Sequence, residues 1–215
     1  MKLAPAMTQA KTRICDETAF GFGWIAEEPA LLERASHALR ADGRVWLVDP
    51  VDGAEVDAHV RALGEPAGVL QLVDRHERDC ASLARRLGVP HHRVPFGGIP
   101  GSPFEARAIL NLPGWREVAL WWEAERVLVC AEALGTVGYF RSADEWLAVH
   151  PFLRLYQPRA LRDVAKCLAP GHVLVGHGKG VHGDEAPAAL AQAVRGARRA
   201  TPRWLRHQLR RRRKP

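Results

Sequence analysis

The sequence predicts a mixed α/β chain in which strands and helices interleave. Two observations carry this. Twice a short, β-branched apolar run leads into an amphipathic segment closed by glycine: GRVWLVDP (43–50) followed by 51–64, and VLQLV (69–73) followed by 81–88. Once, in REVALWWEAERVLVCAEAL (116–134), two apolar runs are joined by only a polar turn, the mark of an antiparallel hairpin. Strand–helix units and a hairpin in one chain call for a mixed sheet, or a pair of sheets, with helices outside.

The elements follow in order. FGFGWIA (20–26) is short, apolar and glycine-spaced, an early strand, and Glu33–Leu39 leads into another. The strand at 43–50 is stopped by Pro50, which has no N–H to donate. Val56, Val60 and Leu63 recur at helical spacing before Gly64. After the 69–73 strand, Ala81–Leu87 is a helix ending at Gly88. Residues 90–104, rich in Pro and Gly, read as a long loop. Glu123–Glu125 form the hairpin turn, 158–168 is helical, and HVLVGHG (172–178) is a last strand entering a glycine-rich loop. From Ala186 a helix runs toward the basic end.

At 215 residues the chain suits one sizeable domain with a tail, divided here as 1–194 and 195–215. The net charge of +7 belongs to the tail. Residues 195–215 hold ten of the 31 Lys and Arg and no acid, so the remaining 21 bases face 24 acids. Arg195, Arg198, Arg199, Arg203, Arg206 and Arg210 recur every three or four residues around Trp204. Such a stripe neutralises phosphates, and Arg199, Arg203, Arg206 and Arg210 are the candidate contacts for nucleic acid or an acidic partner. A solvated charged end is the competing reading. The four cysteines are far apart and free of CxxC pairing, which argues against a disulfide framework or zinc ribbon. No apolar run reaches the roughly 20 residues of a membrane helix. The first residues lack an apolar signal core, so a cytoplasmic protein with no membrane partner is expected.

Chemistry concentrates where the 69–73 strand ends, at Arg75, His76, Glu77, Asp79 and Cys80, because strand ends in such sheets open into the ligand crevice. Cys80, at a helix start, reads either as a reactive thiol or as a small buried residue. Asp49 and Asp52 either face the crevice or belong to an Asp-Pro turn. His91–His92, and His172 and His182 beside the glycine loop, lack partners at ligand spacing.

Four landmarks between about 16 and 185 resemble the metallo-β-lactamase superfamily. GRVWLVDPV is similar to its early strand ending in Asp. LVDRHERDCASLARRLGVP stands where the family has a strand, a His-x-His-x-Asp-His turn, and a helix closing in Gly-Val-Pro. PGWREVALWWEAERVLVCAEAL is similar to its hairpin, and HVLVGHGKGV to its late strand closing in Gly-His-Gly. The resemblance implies an αββα sandwich, two mixed sheets face to face between helices, with a metal site at one edge. The ligand set departs from the family's. In one register only Asp79 of residues 75–80 matches, with Arg75, Glu77 and Cys80 replacing histidines. Slipped by one, His76 matches while Asp74, Arg78 and Asp79 take the other places. Trp115 stands at the third His, Glu132 at the bridging Asp, and His177 matches.

The resemblance therefore implies a degenerate, at most mononuclear site. His76, Asp79, Glu132 and His177 would hold one divalent ion (zinc, iron or manganese). Asp79 or Glu132 would orient water against an ester or thioester type bond of an unknown small-molecule substrate. The alternative is a pseudoenzyme without metal, its pocket closed by Arg–carboxylate pairs, acting through its basic tail.

Overall fold

The computed structural model describes residues 10–28 and 32–211. Six strands form one mixed sheet in the order β1 (Thr12–Thr18), β2 (Gly21–Ala26), β3 (Ala35–Ala41), β4 (Arg44–Val48), β5 (Glu65–Gln71) and β6 (His91–Arg93). The first four are antiparallel to their neighbours, and β4, β5 and β6 run parallel. The second mixed sheet reads β13 (Val181–His182), β12 (His172–Val175), β9 (Val127–Cys130), β8 (Trp115–Trp122) and β7 (Glu105–Leu112), with β9 and β12 parallel. A short pair, β10 (Leu134–Gly135) and β11 (Ala148–Val149), stands beside it.

Alternation along the strands builds the layers, since successive side chains point to opposite faces. Trp46, Val48, Leu70 and Leu72 meet Val118, Leu120, Trp122, Val129 and Leu174 in the core between the sheets. The intervening Val45, Leu47 and Val69 pack outward on α1 (Val56–Leu63) and α2 (Cys80–Leu87). On the far side Ala119, Trp121, Leu128 and Val173 pack on α3 (Arg159–Cys167) and α4 (Glu185–Arg211). The result is the αββα sandwich, its central strands buried on both faces, which is why these read as continuous apolar runs. Both Trp121 and Trp122 are buried, on opposite faces, so the tandem tryptophans have no solvent side.

Several elements were not legible. The polar edge strand β1 and the strand β7 have no clean alternation, and β6 lies inside the segment expected to be loop. α4 runs unbroken through residues 194 and 195 to Arg211. Its Ala197 and Ala200 are buried, Trp204 Nε1 donates to Tyr139 O at 2.8 Å, and Gln208 Nε2 to Gly138 O at 2.7 Å. The arginine-bearing segment is thus a packed helix through Arg211. No helix among the described residues is long and apolar enough to cross a membrane.

Candidate metal centre

Three strands end beside one another at their carboxyl termini, and each delivers one side chain. Beyond β5, Val118 N donates to Leu72 O at 2.9 Å and Asp74 N to Arg116 O at 3.1 Å, tying the start of the 74–79 turn to β8. This turn carries His76. Beyond β9, the backbone N–H groups of Glu132 and Ala133 both donate to Glu117 Oε1 at 2.9 Å, and Trp115 Nε1 donates to Glu117 Oε2 at 2.9 Å. Burial pushes the enclosed Glu117 carboxyl up to about 7. Beyond β12 comes His177, between two glycines that the packing requires. A Cβ on Gly176 would lie 2.5 Å from Ala131 O, and Gly178, at φ +89°, faces Thr136 Oγ1.

The three side chains converge on one atom. Glu132 Oε1 lies 2.9 Å from His76 Nε2 and 2.5 Å from His177 Nε2, and one ligating atom from each residue falls within 4.8 Å of the others. Burial alone would raise the Glu132 carboxyl, but the hydrogen bonds and charges of His177 and His76 outweigh it and hold it well below the usual range. Glu132 is therefore a carboxylate at neutral pH.

His177 Nδ1 is 2.9 Å from the Leu32 carbonyl, which only accepts, so Nδ1 carries the hydrogen. A neutral His177 then turns the lone pair of Nε2 toward a carboxylate oxygen. That contact is repulsive unless a proton or a cation stands between the two atoms. Two imidazoles and a carboxylate, with one imidazole oriented by a backbone carbonyl, make the His₂Glu donor set that binds catalytic zinc and leaves a position open. The residues fit one ion.

A fourth group, His150, was not found from the sequence. It is a lone histidine in a featureless loop, brought in by the β10–β11 pair, where His150 N donates to Ala133 O at 2.9 Å. Phe152 N donates to its Nδ1 at 3.3 Å, so Nε2 carries the hydrogen and faces Glu132 Oε2 at 4.0 Å. Burial, aided by the charges of Arg75 and His177, lowers its pKa to about 4 and keeps it neutral.

Asp79, expected as a ligand and as a water-orienting group, is outside the cluster. Arg78 adopts φ +47°, which turns the chain so that its own side chain enters the crevice while the Asp79 carboxylate faces away and accepts from Asp52 N at 2.8 Å. The guanidinium of Arg78 donates to Ala35 O, to Asp49 O at 2.9 Å and to Gly176 O at 2.8 Å, binding carbonyls from both sheets. Cys80 is buried in the helix–sheet core with its thiol pushed up by burial, and Cys15 and Cys130 are buried as well, while Cys167 is exposed. Asp49 is buried, its Oδ1 accepting from Leu72 N at 3.0 Å, so it is a strand-end tie. Asp52 receives both ends of the Arg86 fork at 2.7 Å, and Glu77 pairs with Arg93 at 3.1 Å. The expected Arg–carboxylate closure of the pocket is not what the described residues form. Arg199, Arg203, Arg206 and Arg210 are exposed along α4, far along the chain from the cluster, with Arg203 3.3 Å from Asp144.

A cavity of about 420 Å³ opens over the cluster. Its floor holds His76, Glu132 and His177, and Leu32, Tyr139, Phe140 and Phe152 form an apolar wall. Phe140 is 1% exposed and stacks on His177 with ring centroids 5.6 Å apart. Three arginines also line the space. Arg78 is bound to carbonyls, Arg34 donates Nε to Glu28 at 3.0 Å, and Arg75 lies over the Trp115 ring at 4.6 Å without a carboxylate partner among the described residues.

Strand ends, an imidazole–carboxylate cluster and a cavity above it define an αββα protein with a candidate metal centre. No family model and no curated relative matches the sequence. Among solved structures, the DIM-1 metallo-beta-lactamase superposes with a TM-score of 0.55 at 13% identity, over 87% of this chain and 98% of its own. The TMB-1 structure gives 0.54 at 12%, over 87% and 98%. A structure of a peroxy diiron species of the chemotaxis sensor ODP gives 0.52 at 14%, over 86% and 94%. At such identities the likeness is one of fold: this chain has the metallo-β-lactamase fold.

Proposed function

We propose that the protein is a hydrolase with a single divalent ion, zinc, iron or manganese, held by His76, Glu132 and His177. The observation that carries the reading is the shared contact of two imidazole Nε2 atoms on one oxygen of Glu132, with His177 Nδ1 already committed to Leu32 O. When bound, the ion supplies Lewis acidity and lowers the pKa of water to about 7. Arg78 puts a permanent positive charge in the crevice, and Coulomb repulsion there opposes a second cation.

The remaining groups have separate tasks. The Nε2–H of neutral His150 is a donor beside Glu132 Oε2, placed to stabilise oxyanion charge on an ester or thioester carbonyl. Phe140, Tyr139 and Leu32 keep the floor dry. Arg75, held over Trp115 and without a carboxylate partner among the described residues, attracts substrates that carry a negative group.

The test is metal titration of stripped protein, followed by assay on ester and thioester substrates. One equivalent of zinc, iron or manganese and metal-dependent turnover are expected. No metal binding, or undiminished turnover in chelator, overturns the reading.

A second reading, contact with nucleic acid through α4, is favoured by the exposure of Arg199, Arg206 and Arg210 on a helix with no acid after Glu185. Binding to mixed-sequence DNA should fall steeply with salt and weaken in R206Q/R210Q. Equal binding by that variant discards it.

A further inference from the structure

On the outer side of the five-stranded sheet, a cavity of about 610 Å³ lies between α3 and α4. Leu155, Ala165 and Val194 supply its apolar lining. A second trough of about 540 Å³ shares Leu155, Gln157, Arg162 and Arg198 with the first, and extends along Ile109, Leu110, Leu112 and Tyr156 of β7 and the 154–158 segment. Leu112, Leu155 and Tyr156 are 56%, 52% and 84% exposed, a large apolar area to leave in water.

Charge gives this groove a direction. Arg162 and Lys166 are four apart on α3, and Arg195 and Arg198 three apart on α4, so each pair stands on one face of its helix. All four border the first cavity, and no carboxylate lines either trough. Arg162 donates to Gln157 O at 2.7 Å. Lys166, Arg195 and Arg198 have neither ionic nor hydrogen-bonding partners among the described residues, and Asp163 on α3 is turned to Arg159 at 3.6 Å. Four like charges gathered without a counter-ion repel one another, and an anion seated among them relieves that repulsion. An apolar track leads away from the cationic end.

We infer that this groove binds a single-chain anionic amphiphile of the fatty-acid class, its carboxylate among Arg162, Lys166, Arg195 and Arg198 and its alkyl chain along Leu155 toward Leu112. A nucleic acid would satisfy the charges and leave the apolar track bare. An uncharged lipid would do the reverse. The site is separate from the His76–Glu132–His177 cluster, and the inference stands whether or not the protein is a hydrolase.

The experiment is calorimetric titration of the full chain with dodecanoate below its micelle-forming concentration. Dodecanol, acetate and phosphatidylglycerol vesicles serve as comparison ligands. The expected result is one saturable dodecanoate site, with acetate and dodecanol each at least tenfold weaker. K166Q/R198Q and, independently, L155D should each weaken dodecanoate at least tenfold without changing the melting temperature or zinc affinity. All three positions are exposed. Dodecanol binding as well as dodecanoate, acetate binding as well, or unchanged affinity in both variants overturns the inference. So does vesicle binding without a site for the monomer, which would make the face a membrane contact.

Discussion

Among the described residues two histidine–carboxylate clusters stand apart, and only one of them is arranged to take a ligand. In the second, Asp16 accepts from Gly180 N with both oxygens at 3.0 Å, from His182 Nε2 at 3.0 Å and from Cys15 Sγ at 3.4 Å. His182 Nδ1, left as a lone pair, meets His172 Nδ1 at 2.8 Å, and every hydrogen along that chain has an acceptor. In the first cluster, Glu132 receives two imidazoles on one oxygen while its other oxygen lies 4.0 Å from His150. With neutral imidazoles, the bond to Leu32 O leaves His177 Nε2 one hydrogen short. Residue types alone do not separate the clusters. The hydrogen count and the open cavity do.

The largest expected contrast is in metal affinity. Losing one of three ligands should exceed the 10- to 100-fold effect typical of outer partners. His177→Ala or Glu132→Gln should therefore weaken zinc binding by roughly 1,000-fold, while Asp16→Asn leaves it unchanged. Competition titration against a zinc-responsive dye reads both. A loss of affinity in Asp16→Asn equal to that in His177→Ala would erase the distinction.

Acid should act on the Asp16 side through His37. Burial lowers this histidine to about 4, while the Asp16 charge raises it and those of Arg78 and His182 lower it. Its Nε2 faces Val175 O at 3.0 Å, and its Nδ1 is buried without a hydrogen-bond partner. The folded value lies below the unfolded value of 6.5, so between pH 6.5 and 4 the unfolded chain binds more protons. The His37 contribution is full above pH 6.5 and falls as pH drops toward 4, by about 3 kcal/mol, and His150, likewise lowered to about 4, adds a loss over the same window. Metal-free denaturant melts should show that loss, and His37→Gln should remove the His37 share of it. A slope as steep in the variant assigns the acid sensitivity elsewhere.

How much of this was visible in the sequence follows from the same accounting. The layers were legible because Val45, Leu47 and Trp46, Val48 fill alternate faces, leaving unbroken apolar strings. His177 and Glu132 were legible because each directly follows a strong strand, where register leaves little freedom. The turn at 74–79 was not, because nothing in Asp-Arg-His-Glu-Arg-Asp announces a left-handed arginine. Arg78 at φ +47° has no glycine or asparagine to flag it, and this one residue sends Asp79 to Asp52 N instead of to the site. His150 depends on a two-residue strand pair, too short to leave a pattern. The groove between α3 and α4 needs the helices side by side before its four cations become neighbours.

Stability should next distinguish the two carboxylates by sign. Asp16→Asn removes a charge that four donor contacts support, including two from Gly180, and hydrogen bonds to a charged group are worth about 1.5–3 kcal/mol. It should destabilise the chain by about 2 kcal/mol. Urea melts at pH 8 measure this, and an unchanged midpoint would mean that the Asp16 charge is not needed to close its cluster.

Glu132→Gln gives the smallest and most discriminating effect. With a neutral imidazole whose Nδ1 hydrogen is on Leu32 O, His177 presents a lone pair to the carboxylate. An amide nitrogen in the place of Oε1 supplies the missing hydrogen to His177 Nε2 and its second hydrogen to His76 Nε2, whose own hydrogen then sits on Nδ1. One neutral hydrogen bond replaces one repulsive contact, so the metal-free variant should be more stable than the parent by about 1 kcal/mol. Added zinc should reverse the order, because only the parent gains binding free energy in its folded state. A variant less stable than the parent at pH 8 without metal would mean that a proton, rather than the place for a cation, lies between Glu132 and His177. The first cluster would then be closed in the same way as the second.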